Sequence, residues 1–307
     1  YDFYPIHNQG LQGSKLDKIK AVFSQFSAIS AARKHLKKLK PDVVFAFGAY
    51  VSVPVAIAAK TLRIPIMLHE QNAFPGKANR MIAKHAKAIV TSYPEAFSEF
   101  KQSYYLGNPR ASLSQEDIQT EAEWQRLNLK DLPTVLIVMG SQGSSAMNPL
   151  FEDYIAHFSE SKYQVILTTG PNHIAAFEEK FPNLPENLIV TGFVDQKSLL
   201  PKLDLIVARA GASTIAEIQS FALASILIPS PHVANNHQYY NAKSLHDASA
   251  CELLIEKDLT AAKLTEAIDC LMEDENVRKL MGRNAKQMAK YEAVSDIHAL
   301  VEKVVNQ

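Results

Sequence analysis

Short runs of apolar and β-branched residues recur along this chain with helical stretches between them, and that alternation limits the fold more than any other feature. Residues 43–47, 66–69 and 88–91 read as strands, with helices expected over residues 15–40, 52–62 and 77–85. The opening Tyr-Asp-Phe-Tyr-Pro-Ile also reads as a strand. After residue 130 the pattern restarts, with strands at 134–138, 163–167, 188–191, 205–208 and 225–228 and helices that include 214–221 and 237–248. The strand runs are continuously apolar, as in parallel sheets buried on both faces. Alternating strands and helices predict such sheets with helices on either side.

The expected class is therefore α/β: two Rossmann-like, doubly wound domains facing a central cleft. A length of 307 residues accommodates two domains. The polar stretch 107–133 marks the boundary, which gives an N-terminal domain over 1–111 and a second over 112–290. The last helix, within 291–307, has an apolar face that suits either domain. Lys+Arg and Asp+Glu both number 32, so net charge argues for no nucleic-acid partner. The two cysteines, Cys251 and Cys270, both lie in apolar sequence and form neither a disulfide framework nor a metal signature. No stretch reaches the roughly 18 apolar residues of a membrane span. A start on a strand, with neither leader nor initiator Met, reads as a fragment.

Ligands of open α/β sheets bind beyond the carboxyl ends of the strands, so the loops there carry the candidate chemistry. Met139-Gly140-Ser141-Gln142-Gly143-Ser144 follows a strand, and its small residues suit a phosphate; a ligand-free tight turn has the same composition. Ala208 to Glu217 carries Gly-Ala-Ser-Thr into a helix, with Glu217 one turn on, where a carboxylate can take both hydroxyls of a ribose. The plainer reading makes Ser213 an N-cap and leaves Glu217 solvated. Gln238 and Asn241 share one helix face, and amides suit sugar hydroxyls; an Asn-capped polar loop is the alternative. His69-Glu70-Gln71-Asn72, with Pro75-Gly76, puts four polar residues at the end of a buried strand, or else a satisfied histidine and a turn.

In this order the motifs resemble those of glycosyltransferase family 28, GT-B enzymes that build a lipid-linked peptidoglycan precursor. The matching segments are His69 to Asn72 with Pro75-Gly76 and Asn79-Arg80, Gly107 to Arg110, Gly140 to Gly143, Gly192 to Asp195, Arg209 to Glu217, and His237-Gln238 to Asn241-Ala242. They span about residues 40 to 255. The resemblance implies an inverting enzyme that moves N-acetylglucosamine from UDP-GlcNAc to undecaprenyl-linked lipid I, forming lipid II, with no cofactor and no metal. It implies that Glu217 holds the ribose diol, that Val194 offers backbone groups to uracil, and that Ser141 with Ala212, Ser213 and Thr214 lies at the diphosphate. Ile215 and Ala216 complete that binding stretch. Gln238 and Asn241 then hold the sugar, which Asn72 reaches from the other domain. The enzyme would sit on the cytoplasmic face of the bacterial membrane, a peripheral protein on an anionic surface.

The sequence departs from the family pattern at Met139 and Ala49, where glycines are usual. The family's opening strand, Gly-rich loop ending in His, and helix are not found, so no catalytic base is assigned. The alternatives are another UDP-sugar GT-B enzyme, such as a glycolipid synthase or an epimerase, and a non-catalytic nucleotide-sugar-binding fragment. Membrane contact is expected from residues 19–40. Ile19, Val22, Phe23, Phe26 and Ile29 recur there near helical spacing, followed by Arg33, Lys34, Lys37, Lys38 and Lys40. The other reading packs most of that apolar face on the sheet and leaves the basic C-terminal half to touch lipid headgroups.

Overall fold

The apolar runs form strands in two separate parallel sheets, each in its own unit. The computed structural model describes residues 2–8, 15–140, 142–159 and 162–306, without the side chains of residues 15–23 and 115. Tyr1–Asn108 and Glu292–Gln307 make one unit, and Pro109–Tyr291 makes the other.

In the first unit the order is α1 (Lys15–Leu39), β1 (Val44–Ala46), α2 (Ala49–Thr61), β2 (Ile66–Glu70), α3 (Lys77–Ala83), β3 (Ala88–Thr91) and β4 (Ser103–Tyr105). The four strands pair in the order β1-β2-β3-β4, all parallel. Successive side chains of a strand point to opposite faces. Ile66 and Leu68 accordingly meet Ala32 and Leu36 of α1 and Ala56 and Ala59 of α2, while Met67 lies in the core of the opposite face.

Residues 2–8 do not form the strand expected at the start of the chain. Asn8 instead donates from Nδ2 to the Tyr50 carbonyl at 3.0 Å. Pro54 lies inside α2 and has no N–H for the carbonyl four residues back, which is that of Tyr50. The side chain of Asn8 supplies the missing donor.

His69, the penultimate residue of β2, is 2% exposed, with Nε2 3.1 Å from the Gly107 carbonyl. Burial lowers its pKa from 6.5, against the opposing pull of the Gly107 hydrogen bond and the Glu70 charge. The folded state therefore holds the ring neutral where an exposed imidazole would take a proton.

In the second unit α4 (Glu121–Arg126) precedes β5 (Thr134–Val138), α5 (Asn148–Ala156), β6 (Gln164–Thr168), α6 (Ile174–Lys180), β7 (Leu188–Thr191), α7 (Gln196–Leu199) and β8 (Leu205–Ala208). Then come α8 (Ala212–Ser220), β9 (Ala224–Leu227), α9 (His237–Asp247), β10 (Glu252–Leu253), α10 (Ala261–Glu273) and α11 (Glu275–Gln287). The parallel sheet has the order β10-β9-β8-β5-β6-β7. The chain runs outward from β5 to β7, then returns to lay β8 on the other side of β5. The switch point between β5 and β8 is where such sheets bind ligands.

Both faces of this sheet are covered. Val135 and Ile137 pack with Phe151, Tyr154, Leu264 and Ile268. Leu136 and Val138, their alternates, pack with Ile215, Ile218, Ala242 and Leu245. The polar stretch before β5 belongs to this unit, and the boundary falls between Asn108 and Pro109 rather than after residue 111. A 3-10 turn over Pro109–Gln115 buries Leu113, and Leu127 and Trp124 join the same core, so a mostly polar composition conceals an apolar face. Cys251 is buried, and burial pushes its thiol up to about 12. Cys270 is exposed on α10, not in the apolar surroundings its sequence suggests.

The chain closes with α12 (Ala293–Val305), which lies in the first unit. Ile297, Leu300 and Val304 cover Met67, Ala88 and Val90, the sheet face that α1 to α3 leave open.

Replacing Leu300 by Ala should cost about 2–5 kcal/mol of this unit's stability, read from urea unfolding. A loss well below about 1 kcal/mol would mean that α12 is only loosely seated. His69 gives a pH signature with a defined sign. Its depressed folded pKa contributes stability that is complete above 6.5 and is lost as pH falls below that value, with a slope of at most about 1.4 kcal/mol per pH unit. His69→Gln should flatten unfolding stability between pH 7.5 and 5.5 relative to the parent; equal slopes would remove His69 as the source.

Candidate functional site

The carboxyl ends of β5, β6 and β7 open onto a cavity of about 380 Å³, lined by Val138, Gly140, Thr168, Gly192 to Lys197 and Arg110. Wider depressions of about 670 and 730 Å³ lie at the opposite ends of β5 and β8, beside Trp124, and between α5 and α10. Neither is at the switch point. The smaller cavity is the candidate site because the fold directs loops and helix N-termini to it.

Two glycines set how the loops after β5 and β6 pack. Gly143, φ +73°, lies where a Cβ would stand 2.0 Å from the Thr169 carbonyl oxygen. Gly170, φ +91°, lies where a Cβ would stand 2.3 Å from the Gln142 carbonyl oxygen. The loops after β5 and β6 are thus pressed backbone to backbone. Ser141 lies outside the described residues.

Across the switch point, α8 begins at Gly211, an extended N-cap with no side-chain capping bond. The first-turn N–H groups of Ala212, Ser213 and Thr214 therefore keep the positive end of the helix uncapped by any side chain. Ser213 is exposed and Thr214 half-buried, whereas Ile215 and Ala216 are buried in the core. The plain reading of this helix fails on both counts: the cap is Gly211 rather than Ser213, and Glu217 is 4% exposed rather than solvated.

The carboxylate of Glu217 is held from two sides. Arg110 donates to Oε1 from Nε at 2.8 Å and also from Nη2, forming an ion pair. Gln196 donates from Nε2 to Oε2 at 2.7 Å. A buried carboxylate requires such partners, since burying it alone is prohibitive. Arg110 stands in one of the quoted motifs without a role in the sequence reading, and nothing in the spacing pointed to Gln196.

Val194 is buried beside the cavity, and its carbonyl accepts from Gln196 N at 3.0 Å. Gln238 accepts at Oε1 from Ser230 N at 2.9 Å and so fixes the loop after β9. Asn241 is fully buried, and its Nδ2 donates to the Ala210 carbonyl at 3.2 Å, securing the turn that leads into α8. Arg209, also without a role in the sequence reading, bonds the Ile228 carbonyl at 3.1 Å and Ser144 Oγ at 3.1 Å and pairs with Glu256 at 2.5 Å. It ties together the loops after β5, β8 and β9.

In the first unit the carboxylate of Glu70, 1% exposed, organises the loop after β2. Its Oε1 accepts from Asn72 N at 3.0 Å and Asn72 Nδ2 at 3.2 Å. Its Oε2 accepts from Gly76 N at 3.0 Å and Asn79 Nδ2 at 2.8 Å. Arg80 of α3 stacks on Phe74 of that loop at 4.9 Å. Asn72 is thus positioned by Glu70. Among the described residues no group of three or more His, Cys, Asp or Glu is arranged to hold a metal.

Comparison with known proteins agrees with this layout. The glycosyltransferase family 28 N-terminal domain matches residues 1–91, and the family's C-terminal domain matches residues 134–297. A protein of Pediococcus pentosaceus, named UDP-N-acetylglucosamine--N-acetylmuramyl-(pentapeptide) pyrophosphoryl-undecaprenol N-acetylglucosamine transferase, is 36% identical over 99% of this chain and 85% of its own length. The protein of the same name from Halalkalibacterium halodurans is 37% identical over 98% of this chain and 85% of its own. Among solved structures, MurG of Acinetobacter baumannii superposes with a TM-score of 0.78 at 27% identity, covering 98% of this chain and 84% of that one. A putative UDP-N-acetylglucosamine 2-epimerase of Listeria monocytogenes, at 14% identity and a TM-score of 0.71 over 97% of this chain and 82% of its own, shares the fold. The two parallel-sheet units are those of the GT-B fold, and the chain belongs to glycosyltransferase family 28.

Proposed function

We infer that this chain is a hexosyltransferase that moves N-acetylglucosamine from UDP-GlcNAc to lipid I, forming lipid II for peptidoglycan synthesis, with inversion at the sugar. The observation that carries this reading is a buried carboxylate, Glu217, one turn inside a helix that starts at the switch point. The names of relatives that align with nearly the whole chain support it.

The ribose diol would donate to the Glu217 oxygens in place of Arg110 and Gln196. Arg110, half exposed and cationic, is then released toward the diphosphate. Val194 would meet uracil through its backbone. Ser141, Ala212, Ser213 and Thr214 would receive the diphosphate, with Ile215 and Ala216 anchoring that turn in the core. The uncapped helix start and the Arg110 guanidinium can hold the charge that develops on departing UDP. Gln238 would take sugar hydroxyls. Asn241 would serve the same sugar by fixing Ala210, and Asn72 would approach it from the loop that Glu70 holds. No residue is assigned as the base.

We place the protein at the cytoplasmic face of the membrane, where a lipid-linked acceptor resides. Arg33, Lys34, Lys37, Lys38 and Lys40 are exposed on or just after α1, and Phe26 on the same helix is 67% exposed. Ile29, Ala32 and Leu36 pack on the sheet instead, and the side chains of Ile19, Val22 and Phe23 lie outside the described residues. An anionic surface attracts each such cation by about 1 kcal/mol. No helix among the described residues is long and apolar enough to cross a membrane.

Charge-assisted hydrogen bonds of the kind proposed at Glu217 are worth about 1.5–3 kcal/mol. Glu217→Ala should weaken UDP binding by about ten- to a hundredfold in calorimetry, with a parallel loss of lipid II formation from UDP-GlcNAc and lipid I. Unchanged UDP affinity would sink the assignment, and a parent protein that makes no lipid II would sink the proposed reaction.

A further inference from the structure

We propose that the Glu123–Arg126 ion pair of α4 is a positioning device that sets the base selectivity of the donor pocket, by fixing the backbone on both sides of Val194. The proposal rests on the UDP-donor reading of that pocket.

The pair is a closed fork. Arg126 donates from Nε to Glu123 Oε2 at 2.8 Å and from Nη2 to Glu123 Oε1 at 2.7 Å. Each partner then reaches the loop after β7. Arg126 Nη2 donates to the Phe193 carbonyl at 3.0 Å, and Glu123 Oε1 accepts from Asp195 N at 2.8 Å. An acceptor and a donor flanking Val194 are thus tied to one rigid pair. Glu123 is buried, while the Arg126 side chain is half exposed. The Arg126 guanidinium holds the Glu123 carboxyl below the usual carboxylate range, so the pair stays ionised at neutral pH.

α4 is itself immobilised, because Trp124 and the adjoining Leu127 pack into the core beneath it. The Val194 side chain enters that same core. Its carbonyl turns back onto Gln196 N at 3.0 Å. The Val194 N–H has no partner among the described residues, and Val194 lines the cavity. An N–H fixed in that place distinguishes pyrimidines. At position 4, uracil carries a carbonyl acceptor, whereas cytosine carries an amino donor. Discrimination of this kind depends on the protein group staying where it is, since a displacement of about 1 Å removes it. Charge-assisted, bidentate bonds are the ones that hold a loop this firmly.

The test measures UDP, CDP and pyrophosphate binding by calorimetry for the full chain and for Arg126→Gln, Arg126→Lys and Glu123→Gln. Arg126 is half exposed, so its variants keep the core of α4. Both Gln variants should lose about tenfold in UDP affinity and about tenfold in UDP-over-CDP preference, with pyrophosphate affinity held within about twofold and Arg126→Lys intermediate. A uniform fall for all three ligands is what a merely structural pair would give, and it overturns the proposal. So does an unchanged UDP-to-CDP ratio. If Glu123→Gln does not fold, the Arg126 variants decide alone. A parent chain that shows no preference for UDP overturns the donor reading itself, an outcome separate from failure of the variants.

Discussion

Two-sided burial of the parallel sheet is the constraint from which the site follows. Every strand from β5 to β9 except β7 is buried at all its positions, with Leu136 and Val138 committed to one core and Val135 and Ile137 to the other. An unpaired polar group along such a strand is costly, and Ser225 of β9, whose hydroxyl is buried without a partner among the described residues, is an exception. Polar chemistry is displaced to their ends, and the reversal of strand order between β5 and β8 decides which end collects it.

The charges gathered there are few and firmly partnered. Glu217 meets Arg110 and Gln196, Arg209 meets Glu256, and Glu123 meets Arg126. In the first unit Glu70 is held by amide donors alone. A buried ion pair contributes little net stability against its desolvation, but removing one partner is costly because the other charge is stranded. These pairs therefore hold loops in one geometry more than they stabilise the fold. That is what a pocket reading a nucleotide through backbone groups needs.

The strands and helices were largely legible because two-sided burial writes a continuous apolar run that the sequence displays directly. Residues 88–91, 134–138, 188–191 and 205–208 are strands with the bounds expected. β4 and β10 were not legible: three and two residues carry no period. The 109–133 stretch hid its apolar face because Leu113, Trp124 and Leu127 are scattered among charges. For the candidate site, the motifs marked which loops matter, since Gly, Ser and amide residues cluster after the strands. They did not reveal what holds those loops. Arg110 lies 107 positions from Glu217, and Arg126 lies 67 positions from Phe193. Only folding brings such partners together, and no local pattern records it.

The contact between Gly143 and Gly170 has a consequence for how such a chain can diversify. Each glycine is excluded from carrying a side chain by the other loop's main chain, not by a side chain that a second substitution could shorten. No compensating partner mutation exists for either position. Variation can enter this corner only through a concerted remodelling of both loops. The two segments, distant in sequence, are thereby constrained to change together.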